Sequence, residues 1–368
     1  MLCFTQCIYA DHIESQQQNS TYSQGVITSG SDIKYDLINE KENTGWALYI
    51  DNDVLVSGGE IDQDYTGGIS VTLSGLRATN YLLSIDGARQ TISDWLRLDK
   101  LYKNKPHINL HSFNFGFTLF TPSDLTISEP IFDDHPYASY FFISNSNIVV
   151  VPEDDMVYQT ILSIGFLGLD AAEDVQTSLH SLFGANKPMG WDNQISSGGE
   201  PTAKYTFAAQ KILNRSQGSQ YARHEFKITG EANVGFLTNA SVGFNWRWGR
   251  ITTPWWSFNP HLSDYINMGV PIVKKTEKTH DPEFYIWFMA SYQLRFYSAL
   301  LQGQFRDSVV TFSDDELERT TTDLSLGITR EFGSDIRISL FYRQRSAALK
   351  LPDARKPKWG GIIISKSF

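Results

Sequence analysis

The sequence predicts an all-β fold, a 12-stranded antiparallel transmembrane β-barrel of the outer membrane with one short helix in an extracellular loop. Three observations point there. Apolar and aromatic residues recur with a period of two: Ala240, Val242, Phe244, Trp246 and Trp248 alternate with Ser241, Gly243, Asn245, Arg247 and Gly249, which gives a strand one wide apolar face and one small, polar face. The longest apolar runs, such as Phe284–Ala290 and Ile148–Val151, fall far short of the roughly 20 consecutive residues that a membrane-spanning helix requires. A mean hydropathy of −0.28 is what alternating lipid-facing and lumen-facing residues average to. Aromatic residues make up 13% of the 368, with Trp 9, Tyr 17 and Phe 23, and this supply suits the interfacial girdles of a barrel better than a soluble sandwich.

Met1–Ala10 is a weak apolar stretch without a basic leader and reads as a signal peptide with a truncated start. Residues 11–43, rich in Ser, Gln and Asn, read as a flexible extension, and 44–368 as the barrel domain. Strands are expected at 45–56, 66–76, 109–120, 138–151, 156–167, 202–213, 223–236, 239–249, 283–301, 320–332, 335–345 and 358–368. An even count returns both chain ends to one side, the periplasmic one. Sorted by length, 152–155, 237–238 and 333–334 are turns. The segments 57–65, 121–137, 168–201, 250–282 and 302–319 are long and are expected together on the outside, with 77–108 an insertion on the short-turn side. At the end of the chain Phe368 is in phase with Ile364 and Ile362, similar to the assembly signal of bacterial outer-membrane barrels, although Lys366 interrupts the phase.

The net charge of −10, without a basic cluster, excludes a nucleic-acid partner. Cys3 and Cys7 are the only cysteines, so neither a disulfide across the body nor a Cys-based metal site is available. Within 168–201 the period changes: Ala172, Val175, Leu179, Leu182 and Phe183 recur at helical spacing after Asp170, a plausible N-cap. Glu173, Gln176 and His180 share the polar side of this helix. With its apolar side on the outer wall, the helix would hold the His180 imidazole at the height of the lipid headgroups; a surface histidine with no role leaves the same pattern. Asp51-Asn52-Asp53 ends the first strand and Asp64-Tyr65-Thr66-Gly67-Gly68 opens the second, which gathers carboxylates, an amide, a hydroxyl and glycine N–H groups around one loop. Oxygens of this kind suit a hard cation such as Ca²⁺, and paired glycines allow the close backbone approach of an oxyanion site. They are equally ordinary turn formers. Strict alternation puts Asn52 on the lipid face and Asp53 on the lumen face, so both reach one site only through a bulge or twist at the strand end.

These two strand-end motifs are followed in order by Phe120-Thr121-Pro122-Ser123-Asp124, Asp134-His135-Pro136-Tyr137-Ala138, Leu167-Gly168-Leu169-Asp170-Ala171, Val175-Gln176 through His180, and Gly190-Trp191-Asp192-Asn193-Gln194. Together they resemble the outer-membrane lipid A 3′-O-deacylases over residues 45–213. The resemblance implies hydrolysis of the ester holding the 3′-linked acyloxyacyl chain, dependence on a divalent cation, typically Ca²⁺, and a site between the barrel wall and a loop helix. It implies His180 as general base and Asn52 and Asp53 as the strand-end pair, with Asp53 holding the metal. Thr66 would stand beside the reacting group, Gln176 would orient a neighbour, and Gly68 would turn its N–H to the oxyanion. Lipid A of lipopolysaccharide and outer-membrane lipids are the implied partners, and the chain would act as a monomer. An imidazole can take a proton from water at neutral pH, so no serine nucleophile is needed. The departures are Val54, where some relatives carry a second acid, and the acidic loop Thr121–Asp133. Two other classes stand beside this reading: an outer-membrane phospholipase-type esterase, which would show a Ser–His pair, and a non-catalytic porin or adhesin.

Overall fold

Period-two alternation becomes twelve strands in the computed structural model: β1 (Gly45–Asn52), β2 (Asp64–Ser74), β3 (Ile108–Thr121), β4 (Ala138–Val151), β5 (Met156–Leu167), β6 (Glu200–Arg215), β7 (Ala222–Gly235), β8 (Leu237–Ile251), β9 (Phe284–Ser298), β10 (Thr320–Phe332), β11 (Ile336–Arg345) and β12 (Lys358–Ser367). The structure describes residues 40–56, 64–183, 186–216, 222–262, 272, 282–333, 335–352 and 354–368. The expectations for Met1–Ala10 and for most of the extension lie outside these residues. Each strand pairs antiparallel with its chain neighbours, and β1 closes the barrel on β12, from Gly45 opposite Ser367 to Asn52 opposite Gly360. The start of β1 and the end of β12 therefore meet at one rim, the periplasmic one.

The largest departures from the expected strand ends are at β1 and β9. After Asn52 the chain enters a 3-10 turn, Asp53–Leu55, that folds over the bare backbone of β12: a Cβ on Gly360 would lie 2.8 Å from Val56 Cγ1. β9 stops at Ser298, and Ala299–Gln302 forms a short helix.

The sorting of connections by length also needs correction. In a closed antiparallel barrel the faces alternate strictly, so the tight turn between β7 and β8 lies on the extracellular side, and the long connection between β8 and β9 lies on the periplasmic side with 75–107. Its described residues fold up into the lumen. Trp255 and Trp256 pack with Leu110, Ile148, Val150 and Val157, all on the inward parity. Lys227 Nζ donates to Gln210 Oε1 at 2.8 Å, to Asn259 Oδ1 at 2.7 Å and to the Phe258 carbonyl. Arg247 pairs with Glu225, and Glu283 pairs with Arg337 while accepting from the Thr252 and Thr253 N–H groups at 2.8 and 2.9 Å. Buried charges cost least when each meets an opposite charge or several dipoles, and this network meets that demand. Among the described residues the plug fills lumen that a porin would leave open.

The girdle expectation holds only in part. Trp191, Trp255, Trp256, Trp287 and Trp359 are buried in loops and lumen, whereas Trp46, Trp246 and Trp248 stand on the outer wall, all toward the periplasmic end, and Trp95 is exposed on the 75–107 insertion.

Candidate active site

The extracellular end of the wall between β1 and β5 carries the residues singled out from sequence. A register shift between Tyr65 and Gly67 makes Thr66 the extra residue of a β-bulge against β3. Its hydroxyl hydrogen-bonds that of Thr121 at 2.7 Å, and Thr121 shares the outward parity of Phe117 and Leu119. Asn52 is outward as well, in phase with Ile50 and Leu48. It lies beside Gly67, where a Cβ would come within 3.1 Å of Asn52 Nδ2 and 2.6 Å of the Asp51 carbonyl oxygen, so only glycine fits. Asp53 is 3% exposed and is the first residue of the 3-10 turn, where strand alternation no longer dictates direction. Asp53 therefore leaves the strand alternation that would set it on the face opposite Asn52.

Gly68 is not brought to this outer face. A Cβ on Gly68 would point to Tyr65 Oη at 3.0 Å and Asp51 Oδ1 at 3.5 Å, and Tyr65 donates to that same Oδ1 at 2.6 Å. This is the lumen side. Gly67, next to the bulge, borders the outer face instead.

The predicted helix is present as Ala171–Phe183, beginning directly after Asp170, with apolar Ala172 and Val175 on the outer wall as expected; the polar residues Gln176 and His180 depart from the expectation. The buried stripe is Ala172, Gln176 and His180, the last two being 1% and 8% exposed. Gln176 and His180 turn toward the protein, not toward the headgroups. Ala172 and Val175 pack on Leu119, Phe117 and Phe141 of the outer wall, together with Trp191 and Tyr137. Leu119 stands opposite Gly67 in the β2–β3 ladder, so the helix rests on the strand that borders the bulge. Gln176 Oε1 accepts from Trp191 Nε1 at 2.8 Å, which fixes the amide so that Nε2 points elsewhere; Nε2 has no hydrogen-bond partner among the described residues. His180 Nδ1–H donates to the Asn186 carbonyl. A carbonyl only accepts, so in the neutral ring the basic lone pair is on Nε2.

Sequence reading did not give roles to Thr121 or Trp191, although both lie inside quoted motifs; the signal for Thr121 was its outward parity in β3. Beside the site the outer wall carries an apolar groove lined by Phe115, Phe117, Phe141, Ile164, Phe166 and Phe305. Among the described residues no three of His, Cys, Asp and Glu cluster into a metal cage. The oxygen donors that the sequence motifs offer near the bulge are the Asp53 carboxylate, the Asn52 amide, the Thr66 hydroxyl and backbone carbonyls. This set fits a hard cation held weakly and does not fit a metal that needs nitrogen or sulfur ligands.

The loop between β3 and β4 is fastened nearby. Asp134 accepts from Ser123 N–H at 2.8 Å and Ser123 Oγ at 2.7 Å, and Arg355 reaches both Asp134 and Asp64, the latter at 3.3 Å. His135 stacks on Phe120 with ring centroids 5.4 Å apart and donates from Nδ1 to the Pro136 carbonyl at 2.8 Å. Burial holds its imidazole below the ordinary histidine value; Asp64 and Asp134 pull upward, but desolvation wins. A lowered native pKa means that the undocked loop binds the proton more readily, so docking is fully supported above about pH 6.5 and is lost as pH falls through the lowered value. Limited proteolysis of the loop should therefore quicken between pH 7.5 and 5 in the native protein and change less in His135→Phe. Equal acid sensitivity of both would refute the role of this imidazole.

Fold and site together define a class: an outer-membrane β-barrel with a filled lumen, whose candidate chemistry lies on the outside of the wall beneath a loop helix. The chain belongs to the family described as Outer membrane protein LpxR, which matches over residues 10–368 and is the lipid A 3′-O-deacylase family whose motifs the sequence resembles. Among solved structures it is similar to LpxR from Salmonella typhimurium, with 15% identity, a TM-score of 0.67, and coverage of 88% of this chain and 100% of that one. At that identity the likeness concerns the fold. An outer-membrane channel from Pseudomonas putida F1 aligns at 8% identity over 91% of this chain and 97% of that one, with a TM-score of 0.46. The NalP translocator domain from Neisseria meningitidis aligns at 9% identity over 98% and 97%, with a TM-score of 0.39. Both are too distant to bear on function. No curated protein matches the sequence.

Proposed function

We propose that this outer-membrane protein hydrolyses the ester of the 3′-linked acyloxyacyl chain of lipid A in the outer leaflet, using water activated by His180. The observation that carries the reading is the inward stripe of Ala172, Gln176 and His180 on a helix seated against the outer wall, beside the Thr66 bulge. A base between helix and wall is reachable by a substrate already in the leaflet, and the apolar groove beside it suits an acyl chain. Water attacks the ester carbonyl as His180 Nε2 takes its proton; collapse of the tetrahedral intermediate breaks the bond to the sugar oxygen, which recovers the proton from the imidazolium. Gln176, its amide fixed by Trp191, is well arranged to orient the imidazole or the water through Nε2. The developing oxyanion would be met by backbone N–H groups freed at the bulge around Thr66 and Gly67, with Asn52 beside them.

Asp53, helped by Asn52 and neighbouring oxygens, would hold a divalent cation, most suitably Ca²⁺. When bound, such an ion offsets negative charge on the carbonyl oxygen.

A phospholipase-type esterase would share the wall site and the base, so substrate decides between them. Mass spectrometry of lipids from cells with and without the protein should show loss of a 3′ acyloxyacyl unit from lipid A and an unchanged phospholipid profile. The opposite pattern would transfer the activity to glycerophospholipids, and no change in either would end the hydrolase reading.

A further inference from the structure

The insertion between β2 and β3 takes no part in the chemistry above. It leaves the periplasmic rim as a 3-10 turn, Leu76–Thr79, continues through the helix Asp86–Trp95, α1, and returns by a second 3-10 turn, Leu98–Leu101. The buried residues of α1 are polar: Asp86, Arg89 and Ser93. They face the outside of the barrel. Ile85 N–H donates to Asn145 Oδ1 at 2.8 Å, Arg89 donates to Thr160 Oγ1 and Asp86 Oδ1 at 2.7 Å each, and Ser93 and Tyr205 hydroxyls share a 2.8 Å bond. Asn145 and Tyr205 are ladder partners of Leu162, and with Thr160 they share the outward parity of Ile164 and Phe166. Bare polar groups at these positions would face hydrocarbon without hydrogen bonds, a costly state, so the insertion is a fixed cover. Asn145 and Leu162 each stand six residues above the turn at Pro152–Asp154, which places α1 about 15 Å up a tilted wall.

The exposed surface of the cover carries large apolar side chains just before α1 and at its end, while Gly87, Ala88, Gln90, Thr91 and Asp94 are the other exposed residues of the helix. Leu82, Leu83, Trp95 and Leu96 are 99%, 60%, 80% and 44% exposed. Around them stand the exposed Arg77, Arg97, Lys100 and Lys103. Residues 76–107 hold six basic side chains against three acidic ones, in a chain whose net charge is −10. Trp46, Trp246 and Trp248 mark the same end of the wall. Aromatic and aliphatic anchors flanked by cations are the pattern of an element lying in a membrane interface, and here they continue the lipid-facing surface of the barrel.

We propose that residues 76–107 form a collar seated in the periplasmic leaflet, with Leu82, Leu83 and Trp95 among the acyl chains and Arg77, Arg97 and Lys100 gathering anionic phospholipid headgroups. Lipopolysaccharide phosphates are not the ligand, because they belong to the opposite leaflet. The collar ties the height of the barrel, and hence of the extracellular site, to the inner-leaflet interface.

The test uses the full chain with Cys3→Ser and Cys7→Ser, in lipid discs of phosphatidylethanolamine containing phosphatidylglycerol. Nitroxides attached at Leu82→Cys and Trp95→Cys should relax more with oxygen than with a water-soluble nickel chelate, and one at Lys100→Cys should show the reverse. Native mass spectrometry of the barrel from an equimolar mixture of the two lipids should show several-fold enrichment of phosphatidylglycerol, falling toward parity in Arg97→Ala/Lys100→Ala. Nickel access at positions 82 and 95 equal to that at 100 would mean that the patch is wet and open to a protein partner, which overturns the proposal. Undiminished enrichment in the double variant would overturn the headgroup assignment.

Discussion

Replacing His180 with Ala or Asn is expected to leave a folded, heat-modifiable barrel whose ester hydrolysis falls by roughly 10²–10⁴-fold, the usual loss when a general base is removed. The barrel should survive because the ladder and lumen plug do not involve this side chain; His180 sits on a loop helix held by Ala172, Val175 and Trp191. Its Nδ1 bond to the Asn186 carbonyl holds the ring with Nε2 as acceptor, so Asn keeps polarity and loses basicity. Gln176→Ala should cost less, since it removes an orienting group and leaves the base. Activity of His180→Ala within a few-fold of the native rate would end the proposal that an imidazole on this helix takes the proton.

Chelation is expected to abolish hydrolysis reversibly, and Asp53→Ala to lose activity that millimolar Ca²⁺ does not restore. One carboxylate with neutral oxygens gives a low charge count, and sites of that kind bind Ca²⁺ on the order of 10⁻⁴–10⁻³ M. The outer surface supplies such concentrations, and lipid A phosphates add to the local charge that retains the ion. Chelators also loosen lipopolysaccharide packing, so the assay uses purified enzyme with substrate dispersed in detergent. Full activity in excess chelator under those conditions would assign the ion to the membrane and give Asp53 another task.

Strand positions were legible because alternation is a property of every strand: Ile336, Ile338 and Leu340 needed no partner to show their face. The ends were harder, because Asp53 and Ala299 leave the sheet for local hydrogen bonds that parity does not encode. Sorting connections by length misplaced 250–282, since a lumen plug is as long as an external loop; counting strand parity alone would have put it on the periplasmic side. The loop helix was found by its period and its contact with the wall through Ala172 and Val175 was legible, but His180 was expected to be exposed. The usual rule sends apolar residues inward and polar ones to water, whereas here Gln176 and His180 are buried beside Ala172, with Trp191 and Asn186 of the same loop as partners. That conflict with the rule is where the candidate chemistry lies, and only the motif resemblance had put those two residues at a site. Trp191 stayed without a role because its bond to Gln176 spans a loop.

The lumen plug has a consequence for the cell. Trp255 and Trp256 pack inside the barrel, and Lys227, Arg247 and Glu283 are held there by fixed partners, so the described residues of the plug narrow the interior along which small solutes could travel. An enzyme built on a hollow wall would leak in proportion to its copy number. A barrel filled in this way adds less leakage to the outer membrane per copy than an open one of the same strand number.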